Sequence, residues 1–324
     1  MEIIEIVFPE ALVAPRRLRP SASKLEPPAP GQVQIGVEAA GVSFDDMLMR
    51  RGTFPGQPRF PFVPGRDVAG TVVREGPGVT GWAGRRVAAI VEHGGWATGV
   101  NVPAAAVVPV PDGLTFVEAV SLGYAAALAR RMVHDLAGVG AGQTVVVPGA
   151  PGWVGTSLVQ LAGLAGARVV GVSSTRQLAE CADLEFEPVD HWTEDVPARV
   201  AAYAPDGVDA VFDTIGGPNL AESLSMLKPG GVLVSYGNWA TRDQPRGTHL
   251  ADLERLADPR VVPASTGLGP DDLARVFALA AEGRLRPFVA GPYAFGEAGR
   301  ALEDFENGGL VGRVVLHRDS SDHP

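Results

Sequence analysis

The chain has 324 residues, a formal net charge of −10 at pH 7, and 46% hydrophobic against 20% charged residues, a length that suits two domains rather than one simple core. Lys occurs only at Lys24 and Lys228 and no basic run is present, which excludes a nucleic-acid partner, and one cysteine, Cys181, excludes an internal disulfide and a multi-cysteine zinc site. No apolar stretch reaches the ~20 residues of a membrane helix, and the acids in MEIIEIVFPE do not suit a signal peptide, so a cytoplasmic enzyme is expected.

The first third reads as β-rich. Short apolar runs, QVQIGV, VAGTVV (68–73) and RVAAIV (86–91), are separated by Gly and Pro turns, the pattern of a compact antiparallel, barrel-like domain. After Pro111 the pattern changes. Apolar runs TVVVPG (144–149), ARVVGVSS (167–174), VDAVFDTIG (208–216) and GVLVSYG (231–237) alternate with helical segments, which predicts right-handed βαβ units and a parallel sheet. Their near-continuous Val and Ala suit strands covered on both faces. The helix after the first run carries Val154, Leu158, Leu161 and Ala165 on one apolar stripe. Cys181 lies in the helical-looking QLAECADL and reads as a small packing residue.

The last forty residues predict a strand at RPFVAG (286–291), a helix with Ala298, Ala301, Leu302 and Phe305 on one face, a stop at Gly308-Gly309, and a closing strand GRVVLH (312–317). A lone strand–helix–strand cannot build its own core, so this tail is expected to return to the first domain.

The motif with the most chemistry is TVVVPGAPGWVGTSLVQLAG. A strand runs into Gly149, Gly152 and Gly155 and then a helix. The first glycine permits the tight turn, the second lets backbone amides approach a pyrophosphate, and the third lets helix and strand pack closely. The helix N-terminus, with Trp153 and Val154 leading into it, then faces the anion with unpaired N–H groups and the positive dipole end. A Gly-rich βα turn that binds nothing is the plain alternative. The second strand ends in Ser173-Ser174-Thr175-Arg176. An acid is usual here for a ribose 2′-hydroxyl, whereas hydroxyls with an Arg suit a 2′-phosphate. NADPH is therefore expected over NADH, the alternative being that Arg176 is a solvated residue at a helix start.

These segments, with AAGVSFDDMLMRRGTFPGQ (39–57), PFVPGRDVAGTVVREGPGV (61–79), GVDAVFDTIGG (207–217), LKPGGVLVSYG (227–237) and the closing GGLVGRVVLH, resemble the medium-chain dehydrogenase/reductase superfamily. More closely they resemble its zinc-independent quinone oxidoreductase and enoyl reductase branch, zeta-crystallin-like proteins included. The likeness spans nearly the whole chain. It implies an α/β protein with a GroES-like β-barrel catalytic domain (residues 1–118 and 286–324) and an inserted Rossmann domain with a doubly wound parallel sheet (119–285). It further implies an active site in the cleft between them, hydride transfer to a quinone or an α,β-unsaturated carbonyl, a loop after Gly237 that borders the cofactor, and a homodimer. Zinc-dependent relatives carry a Cys in the segment matching Gly41–Asp46 and His-Glu in the segment matching Gly65–Asp67. Ser43 and Arg66-Asp67 stand there instead, so no catalytic zinc is expected.

Without a metal, hydrogen-bond donors and a proton source must stabilise the oxyanion. The resemblance nominates Ser43 as a donor to a substrate carbonyl, Asp46 as a recurring family acid and Tyr124 as an acid near the nicotinamide. The plain readings are a helix cap or a pair with Arg50 for Asp46, and a half-buried core aromatic for Tyr124. His93 reads chiefly as a satisfied loop histidine. Three departures bear on activity: Ala125 removes a family hydroxyl, Trp153 replaces a glycine, and the connection NWATRDQPRGTHLADLERL looks short. Besides a reductase, a redox-neutral cyclase or isomerase and a non-catalytic binding protein stay open.

Overall fold

The computed structural model describes residues 1–244, 253, 254, 256–264 and 267–319. Its contacts divide the chain into two units, Met1–Ala127 with Leu268–Pro324, and Leu128–Gly267.

The first unit opens with a two-stranded antiparallel pair, β1 (Glu2–Ile6) and β2 (Pro20–Lys24). Strands β3 (Gln32–Gly41), β4 (Asp67–Glu75), β5 (Arg86–Ile90), β6 (Gly99–Pro103) and β7 (Val107–Pro109) follow, with helix α1 (Phe44–Arg51) between β3 and β4. β3 pairs with both β4 and β6. Val33, Ile35, Val37, Ala39 and Ala40 along it are wholly buried, as expected for a strand with neighbours on both sides. Helix α2 (Phe116–Arg130) then carries the chain into the second unit, and the division between units falls inside it.

The second unit is built on six strands, β8 (Thr144–Pro148), β9 (Arg168–Ser173), β10 (Glu187–Asp190), β11 (Val208–Asp213), β12 (Leu227–Ser235) and β13 (Val261–Pro263). They pair in the order β10-β9-β8-β11-β12-β13, every pair parallel. Helices α3 (Gly155–Leu164), α4 (Thr175–Glu180), α5 (Val196–Tyr203) and α6 (Asn219–Ser225) alternate with them. This is the doubly wound order of dinucleotide-binding sheets, and it reverses direction between β8 and β11, where such sheets take ligands beyond the strands' carboxyl ends. Val146, Val170, Val189, Val208, Val211 and Leu233 form one buried cluster, and each such side chain contributes about 1.5–3 kcal/mol by leaving water.

The tail returns to the first unit as expected. Helix α7 (Pro270–Ala281) precedes β14 (Val289–Ala294), helix α8 (Ala298–Asn307) and β15 (Arg313–His317). β15 lies between β14, to which it is parallel, and β3, to which it is antiparallel. The strand expected at 286–291 begins three residues later. Ala298, Ala301, Leu302 and Phe305 are buried as the helical spacing required. On α3, Val154, Leu158 and Leu161 are buried, while Ala165 is the half-buried C-cap.

Residues 119–127 and 268–285, expected in the inserted part, group with the first unit. Side chains explain this. The Ser121 hydroxyl donates to Phe288 O at 2.8 Å, the Tyr124 phenol reaches Asp45, and Leu273 is buried in van der Waals range of a side chain built at Gly123. Cys181 is buried at the C-cap of α4, so the short helix ends before the rest of QLAECADL.

Candidate functional site

In the first unit, α1 begins with a reciprocal cap. Ser43 is the N-cap in extended backbone, and its hydroxyl accepts the Asp46 amide at 3.3 Å while donating to Asp46 Oδ2 at 2.6 Å. Asp46 Oδ2 also accepts the Ser43 amide at 2.8 Å, and Oδ1 accepts the Gly65 amide at 2.8 Å. The two residues nominated as donor and acid are thus joined to each other and sealed, with Ser43 1% and Asp46 0% exposed. Burial pushes the Asp46 carboxyl up to about 6, against the pull of the hydrogen bonds from Ser43 and Gly65. Arg50 is not its partner: Arg50 donates through Nε and Nη2 to Glu306 at 2.9 and 2.8 Å.

A second set of charges surrounds this cap. Asp67 and Arg313 form a buried pair at 2.6 Å. Arg66 Nε lies 3.3 Å from Asp45 Oδ2, and its guanidinium carbon is 5.3 Å from the Phe54 ring centre and 5.8 Å from that of Tyr124. The Tyr124 hydroxyl donates to Asp45 Oδ2 at 3.4 Å. Burial raises the carboxyl of Asp45 against the opposing charge of Arg66, and that of Asp67 against Arg313. Burial and then the neighbouring Asp45 raise the Tyr124 phenol, so it keeps its proton throughout the neutral range. His93 is exposed, its ring edge-on to Phe62 at 5.9 Å.

In the second unit the glycine turn lies between β8 and α3. Gly149 has φ +71°, a backbone only glycine adopts without strain. A Cβ on Gly155 would overlap Gly149 O and lie 2.6 Å from Ala150 O, and one on Gly152 would lie 3.0 Å from Gly149 O. The turn therefore presents bare backbone at the helix start, leaving Val154 buried and Trp153 half-buried. Gly237, after β12, comes so close to the β11 loop that a Cβ would lie 2.6 Å from Thr214 O. With β8, β11 and β12 adjacent, these glycines lie beyond the carboxyl ends of neighbouring strands.

Beside them, at the end of β9, the hydroxyls of Ser173 and Ser174 donate to Gln177 Oε1 at 3.1 and 3.0 Å. The Arg176 side chain is 70% exposed, with Glu180 3.9 Å away. The sequence reading missed Asp190, at the end of β10 and paired in register with Ser173. It accepts the Thr175 hydroxyl, the Thr175 amide at 3.1 Å and the Trp192 amide at 2.8 Å, and the first of these does most to hold its carboxyl below the usual range. An acid one strand away from the expected position leaves no signal in the spacing of a single strand–turn–helix.

Two family models match the chain, the alcohol dehydrogenase GroES-like domain at residues 29–112 and the zinc-binding dehydrogenase at 186–316. The human synaptic vesicle membrane protein VAT-1 homolog is 29% identical over 313 residues, 89% of this chain and 79% of its own. Polyketide synthase GfsB of Streptomyces halstedii is 32% identical over 308 residues, 92% of this chain but 5% of that protein. Among solved structures, a Pseudomonas syringae quinone oxidoreductase superposes with a TM-score of 0.87 at 26% identity, covering 98% of this chain and 100% of that one. A mycobacterial protein complexed with NADPH gives 0.85 at 28%, covering 97% and 99%. The chain belongs to the medium-chain dehydrogenase/reductase superfamily. Within it, this superfamily member falls in the zinc-independent quinone oxidoreductase branch and is a reductase of the quinone oxidoreductase and enoyl reductase type. Among its described residues no group of three or more His, Cys, Asp or Glu is placed to hold a metal ion, and none of its described helices is long and apolar enough to cross a membrane. The short connection after Gly237 falls partly outside the described residues.

Proposed function

We propose that the protein is an NADPH-dependent, zinc-free reductase of a quinone or an α,β-unsaturated carbonyl. The observation that carries this reading is the bare-backbone turn from β8 into α3, at the point where the parallel sheet reverses its strand order. Gly149, Gly152 and Gly155, with the backbone at Trp153 and Val154, would hold a pyrophosphate there. Ser173, Ser174 and Arg176 would hold a 2′-phosphate, since a guanidinium makes charge-assisted contacts to it. Asp190 already has its oxygens engaged by Thr175 and Trp192. Gly237 would border the cofactor from the next strands. When bound, NADPH supplies the hydride.

The donor set does not suit zinc. Arg66 is a cation, Asp67 is committed to Arg313, and the Ser43 hydroxyl is engaged with Asp46. Tyr124 keeps its hydroxyl proton, which it donates to Asp45. We further infer a homodimer in the cytoplasm acting on a small molecule, from the superfamily resemblance.

The test is fluorescence titration with NADPH, followed by absorbance at 340 nm with a panel of quinones and enones. Binding with oxidation of NADPH is expected. Binding without oxidation on any acceptor points to redox-neutral use of the fold, and no nucleotide binding removes the reading altogether. A gel-filtration mass tests the dimer.

A further inference from the structure

Among the described residues the most exposed large apolar side chain is Trp192, at 77%. An indole is ordinarily buried over most of its surface. This one is held out in water by a stiff loop of the second unit. Asp190 Oδ1 accepts the Trp192 amide at 2.8 Å, and Asp190 O accepts the amides of Thr193 and Glu194 at 3.2 and 2.9 Å. Glu194 Oε1 accepts the Asp190 amide at 2.8 Å, and Glu194 Oε2 accepts Arg199 Nε at 3.1 Å. The acids of the loop thus serve to fix it. The His191 ring packs against the indole, 4.8 Å between centres with a 38° tilt. An aromatic ring fixed through its backbone and open to water is a platform on which a planar ligand ring stacks.

Position names the ring. The loop leaves the carboxyl end of β10, which pairs with β9, and Ser173 O at the end of β9 accepts the His191 amide at 3.1 Å. Trp192 is therefore one residue from a direct bond to the strand end read above as the 2′-phosphate site. The glycine turn follows β8, on the other side of β9 from β10, and β11 and β12 lie beyond β8. A dinucleotide with its pyrophosphate at that turn and its 2′-phosphate at Ser173 and Ser174 runs its adenosine half toward β10 and its nicotinamide half toward β12. The ring on the Trp192 side is adenine.

We propose that the Trp192 indole, backed by His191, stacks on the adenine of the bound nucleotide. This rests on the nucleotide-binding reading above. Stacking uses the π face of the base and is indifferent to the 2′ substituent. Trp192 therefore sets the affinity for either nucleotide, whereas Arg176 sets the choice between them. The neighbouring acids do not oppose this, because adenine is uncharged and Asp190 and Glu194 are engaged within the loop. An exposed indole also suits a contact between two copies of the chain. The bond from this loop to Ser173, at the carboxyl end of the sheet, favours the nucleotide.

The experiment measures binding of NADPH, NADH and 2′,5′-ADP, which lacks the nicotinamide, by calorimetry with wild type, Trp192→Ala, Trp192→Leu and Trp192→Phe. Trp192→Ala should bind all three about tenfold more weakly, the effect of losing one stack between a base and an aromatic ring. Trp192→Leu keeps apolar bulk without a π face and should lose as much. Trp192→Phe keeps the face and should stay within about threefold of wild type. Affinities of folded Trp192→Ala within about twofold of wild type overturn the proposal and leave the nucleotide reading standing. If that result comes with a smaller gel-filtration mass, the indole belongs to a contact between copies. A loss confined to NADPH also overturns the proposal, since it places the indole on the 2′-phosphate instead of the base. If wild type binds none of the three ligands, the nucleotide reading falls and the proposal with it. If Trp192→Ala does not fold, Trp192→Leu decides by the same criteria.

Discussion

Asp46 Oδ1 accepts the backbone amide of Gly65 at 2.8 Å, tying the first turn of α1 to the loop before β4. The same carboxylate closes the Ser43 cap through Oδ2. One buried acid therefore fixes both the helix start and the segment that leads into Arg66 and Asp67.

Its protonation should appear in stability. The folded-state value of about 6 lies above the ordinary 3.8, so the folded protein binds this proton more tightly than the unfolded chain. The resulting stabilisation is full below about pH 3.8 and is lost as pH rises through about 6. In urea melts from pH 3.5 to 7, wild-type stability relative to Asp46→Asn should fall by about 2–3 kcal/mol. A difference that stays constant across this range contradicts the assignment.

Ser43→Ala removes the cap and leaves Asp46 Oδ2 short of a donor. A loss of about 1–2 kcal/mol is expected, read as a lower melting temperature. NADPH affinity should not change, because the Ser43 hydroxyl is already engaged with Asp46. A fall in turnover much larger than the stability loss explains would return Ser43 to the chemistry.

The glycines of the turn should separate folding from binding. In Gly155→Ala the new methyl meets backbone oxygen at Gly149 and Ala150, so α3 must move off β8 and both stability and NADPH binding should fall. In Gly152→Ala the nearest atom is 3.0 Å away. That variant should lose less stability than Gly155→Ala, since only one carbonyl must give way, yet bind NADPH at least about tenfold more weakly. Unchanged affinity in Gly152→Ala argues against this turn as the pyrophosphate cradle.

Arg176→Ala should weaken NADPH by about 10–100-fold, the worth of a hydrogen-bonded charge at about 1.5–3 kcal/mol, and leave NADH nearly unaffected. Parallel titrations with the two nucleotides decide this. Equal losses for both refute a 2′-phosphate role.

Arg313→Met strips a buried carboxylate of its partner at 2.6 Å. Breaking such a pair from one side costs about 3–5 kcal/mol, and a melting curve within a degree or two of wild type would contradict the structural importance assigned to the pair.

What the sequence made legible follows from how local each signal is. The glycine turn, the α3 stripe and the buried face of α8 depend on spacings within a dozen residues, and periodicity reads them. The cap at Ser43 and Asp46 was weighed as a plain alternative for Asp46, because the pair sits three residues apart. The other alternative, a pair of Asp46 with Arg50, fails because Arg50 bonds Glu306, which is distant in sequence and is brought near only by the return of α8. Asp190 was missed for the same reason: it reaches Thr175 across a strand pairing that no short motif encodes. The contacts of Ser121 with Phe288 and of Tyr124 with Asp45 reach across long stretches of sequence, so no local spacing marks the edges of the inserted part.

The position of β15 has a consequence for biosynthesis. The strand fills a slot between β14 and β3 and delivers Arg313 to Asp67, so the ribosome must pass residue 317 before the sheet begun at residue 32 can close. The parallel-sheet unit, complete in sequence by Gly267, is able to fold during that wait. A nascent chain stalled short of Arg313 should hold the later-encoded unit in native form while the earlier-encoded one stays open, with the Asp67 carboxylate still in water.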